Sequence, residues 1–308
     1  MQRKIVIVTI LLAVALLALG CSSAPAVQAP AKTESGYANP AALVDTTWVV
    51  DHLDDPDVRL IDVSAREEVY NEGHLPGAVF VGWNRDLTNP NDPVKGQILS
   101  ADDLSALLSR LGVEKDDTVV FYDGTSNLFA ARAYWVLKYY QHPNVRVYNG
   151  GTKKWIADDQ ELTTSNSTFS QSKYVAGEPD PEIRTTGEYV LAHLDDQNSV
   201  LCDTRSAKEY AGVDARSARG GHIPGAINVD WVNSVNQDGT FKDAQTLRTL
   251  YEGAGFDPDK EIITYCQTGV RGAHTWFVLR ELLGYPTVRN YDGSWEEWGN
   301  IAELPIER

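Results

Sequence analysis

The run EIITYCQTGVRGAHTWFVLRELL, residues 261–283, decides the fold. Ile262, Ile263, Thr264 and Tyr265 are β-branched or aromatic, the composition of a buried parallel strand. From Gly272 onward Ala273, Trp276, Phe277, Leu279, Leu282 and Leu283 recur at helical spacing, which predicts a helix. Between strand and helix lies the loop Cys266-Gln267-Thr268-Gly269-Val270-Arg271. A cysteine that ends a strand and faces a helix N-terminus sits among backbone N–H groups and the positive end of the helix dipole. Both stabilise a negative sulfur. A cysteine beside a buried strand is most often inert packing. Here its company argues for a nucleophile: Gly269 permits a tight loop, and Arg271 can fork onto an anion.

Outward from that stretch, the chain proves to be an internal duplication. Residues 59–81, RLIDVSAREEVYNEGHLPGAVFV, match VLCDTRSAKEY from Val200 and GGHIPGAINVDW, which ends at Trp231. Asp62 pairs with Asp203, His74 with His222, and Pro76-Gly77-Ala78 with Pro224-Gly225-Ala226. Gly112 and Gly255, Tyr122 and Tyr265, Pro143 and Pro286, and Trp155 and Trp298 each stand 143 positions apart. Short buried strands alternate with helical runs, such as 101–111 and 243–251, so each half is an α/β unit, a parallel sheet with helices on both faces. In this register Asp123 stands where the second half has Cys266, and Leu128 where it has Arg271. The first half keeps the fold without nucleophile or anion clamp.

The 308 residues divide accordingly: 1–20 a signal peptide, 21–38 a flexible tether, 39–162 the inactive half, 163–181 a polar linker, and 182–308 the catalytic half. Arg3 and Lys4 precede an apolar run over 5–19, and Ala18-Leu19-Gly20-Cys21 resembles a lipobox, which makes Cys21 a lipidation site. An ordinary cleaved signal or a single membrane anchor is the alternative. Either way the protein is expected outside the cytoplasm, and a lipid anchor would hold it to a membrane. An apolar fraction of 43% supplies a packed core. The formal net charge of −16 excludes nucleic-acid binding, which needs basic patches, and an anionic substrate must be drawn in by local arginines. Of the three cysteines Cys21 belongs to the export signal, and the remaining two, Cys202 and Cys266, make neither a disulfide framework nor, without suitably spaced partners, a zinc site. With no glycine-rich phosphate loop and no His/Asp/Glu cluster, neither nucleotide nor metal is expected.

The D-x-R and D-x-S segments, the paired G-H-[IL]-P-G-A turns, the CQTGVRG loop and the closing NYDGSWEEWGN resemble the two-domain rhodanese family over 39–308, closest to thiosulfate sulfurtransferases in a bacterial lipoprotein form. The resemblance implies that Cys266 takes a sulfane sulfur from thiosulfate as a persulfide and releases sulfite. The sulfur then passes to cyanide or a thiol, with no cofactor beyond the covalent intermediate. It implies that the amides from Gln267 through Gly272 (Gln267, Thr268, Gly269, Val270, Arg271 and Gly272) ring the outer sulfur. Arg205 and Arg271 then hold the donor's anionic end, and Asp203 braces the loop. Mercaptopyruvate enzymes of the family carry C-G-[ST]-G-V-T. Gln267 and Arg271 depart from that pattern, and two arginines suit a doubly charged donor, so thiosulfate is expected and 3-mercaptopyruvate is the alternative.

Other residues receive structural roles. Cys202 is expected in the core beside the catalytic strand, and His74 and His222, matched in both halves, are expected to hold turns. His274 is a weaker candidate still, Arg219 reads as a solvated loop arginine, and Trp295 and Trp298 as packing. A thiol phosphatase or arsenate reductase would carry five residues between cysteine and arginine. Here there are four, a cradle for one sulfur. A tethered sulfur-binding or sensing module is the non-enzymatic alternative.

Overall fold

The computed structural model describes residues 35–308. The signal peptide, Cys21 and most of the expected tether lie outside the described residues. The last part of that tether is pinned down. Ala244 N donates to Ser35 O, Tyr37 Oη donates to Lys242 O at 2.9 Å, and Ala38 N donates to Leu282 O at 2.8 Å. An aromatic residue with a local anchor makes the segment from Ser35 onward part of the second half's surface.

Among the described residues ten strands form two five-stranded parallel sheets. The first contains β1 (Leu43–Val44), β2 (Val58–Asp62), β3 (Val79–Phe80), β4 (Thr118–Tyr122) and β5 (Val145–Tyr148), in the order β1-β5-β4-β2-β3. The second contains β6 (Arg184–Thr185), β7 (Ser199–Asp203), β8 (Ile227–Asn228), β9 (Glu261–Tyr265) and β10 (Val288–Tyr291), in the order β6-β10-β9-β7-β8. The orders are the same, and β4 and β5 stand 143 residues before β9 and β10, as the duplication requires.

Alternation along the strands explains the layering. Ile61, Val119, Phe121 and Val147 point to one face of the first sheet, and Leu60, Val120, Tyr122 and Tyr148 to the other. Cys202, Ile262 and Val288 share the first of these cores, so one central core joins the inner faces of both sheets. Leu201, Ile263, Tyr265 and Tyr291 face outward, under Trp295 and Trp298. Both faces need cover, and parallel strands need helical crossovers, so helices lie on both sides. Helix Leu128–Tyr139 meets helix Val270–Phe277 in the central core, where Tyr134 sets its edge on Phe277 with centroids 4.8 Å apart.

Three sequence expectations are refined. The helix after Cys266 begins at Val270, not Gly272, because Gly269 at φ +75° caps it. It passes into a π-helical turn over Val278–Leu282. Segment 163–181 is an extended strip laid along the first half, because its polar groups satisfy backbone there. Thr163 exchanges backbone bonds with His74, Ser172 N donates to Ser109 O, and buried Tyr174 sits 3.0 Å from His142 Nδ1. Arg219 is not a solvated loop arginine. It donates to the carbonyls of Trp298, Gly299, Ile301, Ala302 and Leu304, and so clamps the chain end that follows helix Ser294–Trp298.

The matched histidines hold turns. His74 stacks on Tyr70 and His222 on Tyr210, with centroids 3.7 and 3.6 Å apart. In each case Nδ1 faces the tyrosine's carbonyl, at 2.8 and 3.0 Å.

Candidate active site

Cys266 follows the last residue of β9, at the carboxyl edge of the second sheet, and is 1% exposed. Ligand sites of open α/β sheets gather at this edge. One neighbouring segment, the start of helix Ser294–Trp298, fixes the loop. Ser294, held at φ +51°, accepts from the amides of both Cys266 and Gly269 at 3.1 and 3.0 Å and donates to Tyr291 O. Trp295 N and Glu296 N donate to the carbonyls of Cys266 and Gln267. Gly272 is required by close approach, since a Cβ there would lie 2.4 Å from Asn290 Oδ1. At Gly269 a side chain would meet Asp292 Oδ1 at 2.8 Å, on top of the positive φ.

Among the described residues none accepts from the amides of Gln267, Thr268, Val270, Arg271 or Gly272. They are unpartnered donors in the loop and first turn at a helix N-terminus. The first half shows what such donors do. Asp123 is fully buried, and its carboxylate accepts from the amides of Thr125, Asn127, Phe129 and Ala130 at 2.6, 3.1, 2.8 and 2.8 Å. The loop frame after the central strand therefore cradles one negative group through backbone N–H donors.

Burial nevertheless dominates at Asp123: desolvation pushes its carboxyl up to about 6 against the pull of those amides. A raised carboxyl stabilises the fold below its unfolded range, and that contribution is lost as pH rises toward 6. Between about pH 4 and pH 7 the wild type should therefore lose about 2–3 kcal/mol relative to Asp123→Asn, at 1.36 kcal/mol per pH unit. Urea unfolding at both pH values measures this. An unchanged difference would mean the four amides hold the carboxyl in its ordinary range.

The arginines are not placed alike. Arg271, in the first turn of the catalytic helix, donates from Nη1 and Nη2 to Glu209 Oε2 and Oε1 at 2.7 and 2.8 Å. Burial opposes its charge, but Glu209's bonds and field together with the Cys266 sulfur hold its pKa above the ordinary value. Burial likewise pushes Glu209 up, yet Arg271 and Ser206 bring its carboxyl down to about 2. Arg205 is 1% exposed rather than poised as a free clamp. Its Nε and Nη2 bond Asp203, Nη2 also donates to Gly221 O, and the guanidinium lies 4.5 Å from the Trp295 ring centre. Asp203 makes no bond to the loop itself. It accepts from Arg205 and from Tyr265 Oη, the residue before Cys266, and so braces the loop through its neighbours. Gln267 turns away from the cysteine toward Ser217 and Glu296.

Sequence reasoning missed four participants. Glu209 could have been found, because Ser206-Ala207-Lys208-Glu209 is a capping box, and the structure forms it. Ser294 lay in a motif that was quoted without its chemistry. Arg132 and Asp292 come from opposite halves. Arg132 Nη1 sits 2.7 Å from Asp292 Oδ1, in an ion pair not aligned as a hydrogen bond, and Nη1 also reaches Gly269 O. A lone arginine inside the apolar helix LFAARAYWVL was the one available signal.

Solvent approaches the loop by a groove of about 380 Å³, lined by Trp83, Asn89, Lys95 and Gly96 of the first half and by Thr268. Another cavity, about 360 Å³ beside Val58 and Arg59, lies at the far end of the first sheet from the chemistry. Cys202 pairs with Thr264 across β7 and β9, and burial drives its thiol well above the ordinary range. His274 is fully buried and lowered to about 3 by desolvation, hence neutral. Among the described residues no cluster of His, Cys, Asp and Glu could hold a metal.

Residues 45–158 and 186–301 each match the model of the rhodanese-like domain. The "Sulfur carrier protein TtuD" of Thermus thermophilus is 43% identical over 284 residues, covering 89% of this chain and 99% of that protein. A "Putative thiosulfate sulfurtransferase" of Mycolicibacterium smegmatis is 43% identical over 273 residues, covering 86% and 97%. Among solved structures, SseA from Escherichia coli, described with the 3-mercaptopyruvate sulfotransferases, superposes with a TM-score of 0.75 at 30% identity, covering 82% of this chain and 98% of that one.

Proposed function

The chain belongs to the rhodanese family, and we propose that it is a thiosulfate sulfurtransferase with Cys266 as its nucleophile. The Cys266 thiolate attacks the sulfane sulfur of thiosulfate. The donor's S–S bond breaks, sulfite departs with the electron pair, and Cys266 is left as a persulfide. Cyanide or a thiolate then attacks the outer sulfur and returns the thiolate. Storing the sulfur covalently splits one transfer into two easier steps.

The observation that carries this is the set of open donors in the loop. The amides of Gln267, Thr268, Val270, Arg271 and Gly272 have no acceptor in the loop that Cys266 opens, and the equivalent loop already holds a carboxylate in the other half. Aimed donors of this kind stabilise a terminal persulfide anion without reorganisation. Arg271, beside the sulfur, supports an anionic donor. One observation favours 3-mercaptopyruvate as a second reading: Arg205 and Arg271 each face a carboxylate, so the site carries less free positive charge than two arginines suggest.

Mass spectrometry of the purified 35–308 segment after exposure to each donor tests this, with sulfite release followed in parallel. Thiosulfate should add one sulfur to Cys266 and liberate one sulfite. Loading by mercaptopyruvate alone would replace the donor and keep the mechanism. Loading by neither, on folded protein with a titratable thiol, would leave a binding or sensing module.

A further inference from the structure

Arg271 stands beside the Cys266 sulfur, yet its guanidinium is fork-to-fork with Glu209, whose side chain is only 5% exposed. A donor anion cannot use Arg271 fully while that pair stands, and releasing it would strand a buried carboxylate. The structure contains the remedy. Arg216, 53% exposed at its side chain on the segment that follows helix Ala207–Tyr210, points Nη1 at the same Glu209 Oε1 from 3.4 Å. Ser206 already holds Glu209 Oε2 through both its amide and its hydroxyl, at 3.1 and 3.0 Å. The next residue of the segment, Ser217, accepts from Gln267 Nε2 at 3.0 Å, so Arg216 is tied to the loop that carries Cys266.

We propose that Glu209 is a resident counter-ion that competes with the donor for Arg271, and that Arg216 is the positioning residue that receives Glu209 when the donor takes its place. The pair sets donor affinity: Glu209 occupies Arg271 in the empty site, and Arg216 lowers the cost of opening it. Fork geometry makes the Arg271–Glu209 contact strong, and the longer, half-exposed Arg216 contact is weak until Arg271 turns away. The second half-reaction, in which the acceptor attacks the persulfide, needs no such exchange. This inference rests on the transfer reaction proposed above.

Steady-state kinetics with thiosulfate and cyanide on Glu209→Gln, Arg216→Ala and the double variant test it, with the wild type as reference. Glu209→Gln should lower the KM for thiosulfate about ten-fold, the scale of one charged hydrogen bond released. Arg216→Ala should raise that KM about three-fold, the scale of a half-exposed ion pair, with kcat and the KM for cyanide unchanged. In the Glu209→Gln background Arg216→Ala should have no further effect, since the charge it receives is gone. A KM for thiosulfate that is unchanged in Arg216→Ala, or lowered by it, overturns the inference. So does an Arg216 effect that persists in full without the Glu209 charge. Arg216 is exposed, so its variant remains informative if Glu209→Gln, which weakens the capping box, does not fold. A wild type that transfers no sulfur would instead sink the reaction itself.

Discussion

Cys266→Ser is expected to abolish sulfur transfer, a fall on the order of 10⁴-fold or more, while the fold persists. A serine hydroxyl is un-ionised at neutral pH, is a poor nucleophile toward sulfur, and cannot carry the transferred atom as a persulfide. The substitution is close to isosteric at a site 1% exposed, so the Ser294 bonds to the Cys266 and Gly269 amides should survive. The control is Cys202→Ala. Cys202 lies one strand away in the central core, its thiol driven up by burial, so this variant should lose some stability and keep transfer. Thiocyanate formation and the mass of the thiosulfate-treated protein measure both. Persistent transfer in Cys266→Ser, or its loss in well-folded Cys202→Ala, would move the nucleophile to Cys202 and undo the active-site assignment.

The parts of this site legible in the sequence are those that local pattern encodes. Ile262-Ile263-Thr264-Tyr265 followed by apolar residues at helical spacing gave strand, loop and helix. A constant offset of 143 placed Asp123 at the cysteine's position, and the two central strands repeat at that offset. What was missed depends on where side chains turn. Asp203 and Arg205 are two residues apart, and only the chain's path after β7 shows that the carboxylate takes the guanidinium before any donor can. Loop length was overestimated because residue type alone does not reveal that Gly269 adopts φ +75° and starts the helix at Val270. Arg219 lies in a polar stretch, and its carbonyl partners are some 80 residues further along the chain. A charge in a polar loop carries no pattern from which such a partner could be read.

The same limitation hid the contact between the halves, and it leads to the second large effect. Asp292→Ala should cost about 3–5 kcal/mol, because it leaves the Arg132 guanidinium buried without its counter-charge. Arg132 and Asp292 are each 1% exposed at the side chain. Arg132 would keep as acceptors Gly96 O at 3.0 Å and a long contact to Gly269 O, with the Trp135 ring 4.6 Å away. Arg184 and the Ile98 amide would also lose Asp292 Oδ2 as an acceptor. For a chain of this size the melting temperature should fall by roughly 10 °C. Transfer should slow in the protein that remains folded, since Asp292 begins the turn whose Ser294 holds the Cys266 and Gly269 amides. A second variant, Arg132→Met with Asp292→Leu, separates the two roles. Replacing both partners of a buried ion pair by apolar residues is often neutral for stability. Restored melting with transfer still slow would make the pair a brace by which the inactive half places the catalytic loop. Restored melting with full transfer would confine it to stability. An unchanged melting temperature in Asp292→Ala would show that this contact does not hold the halves together.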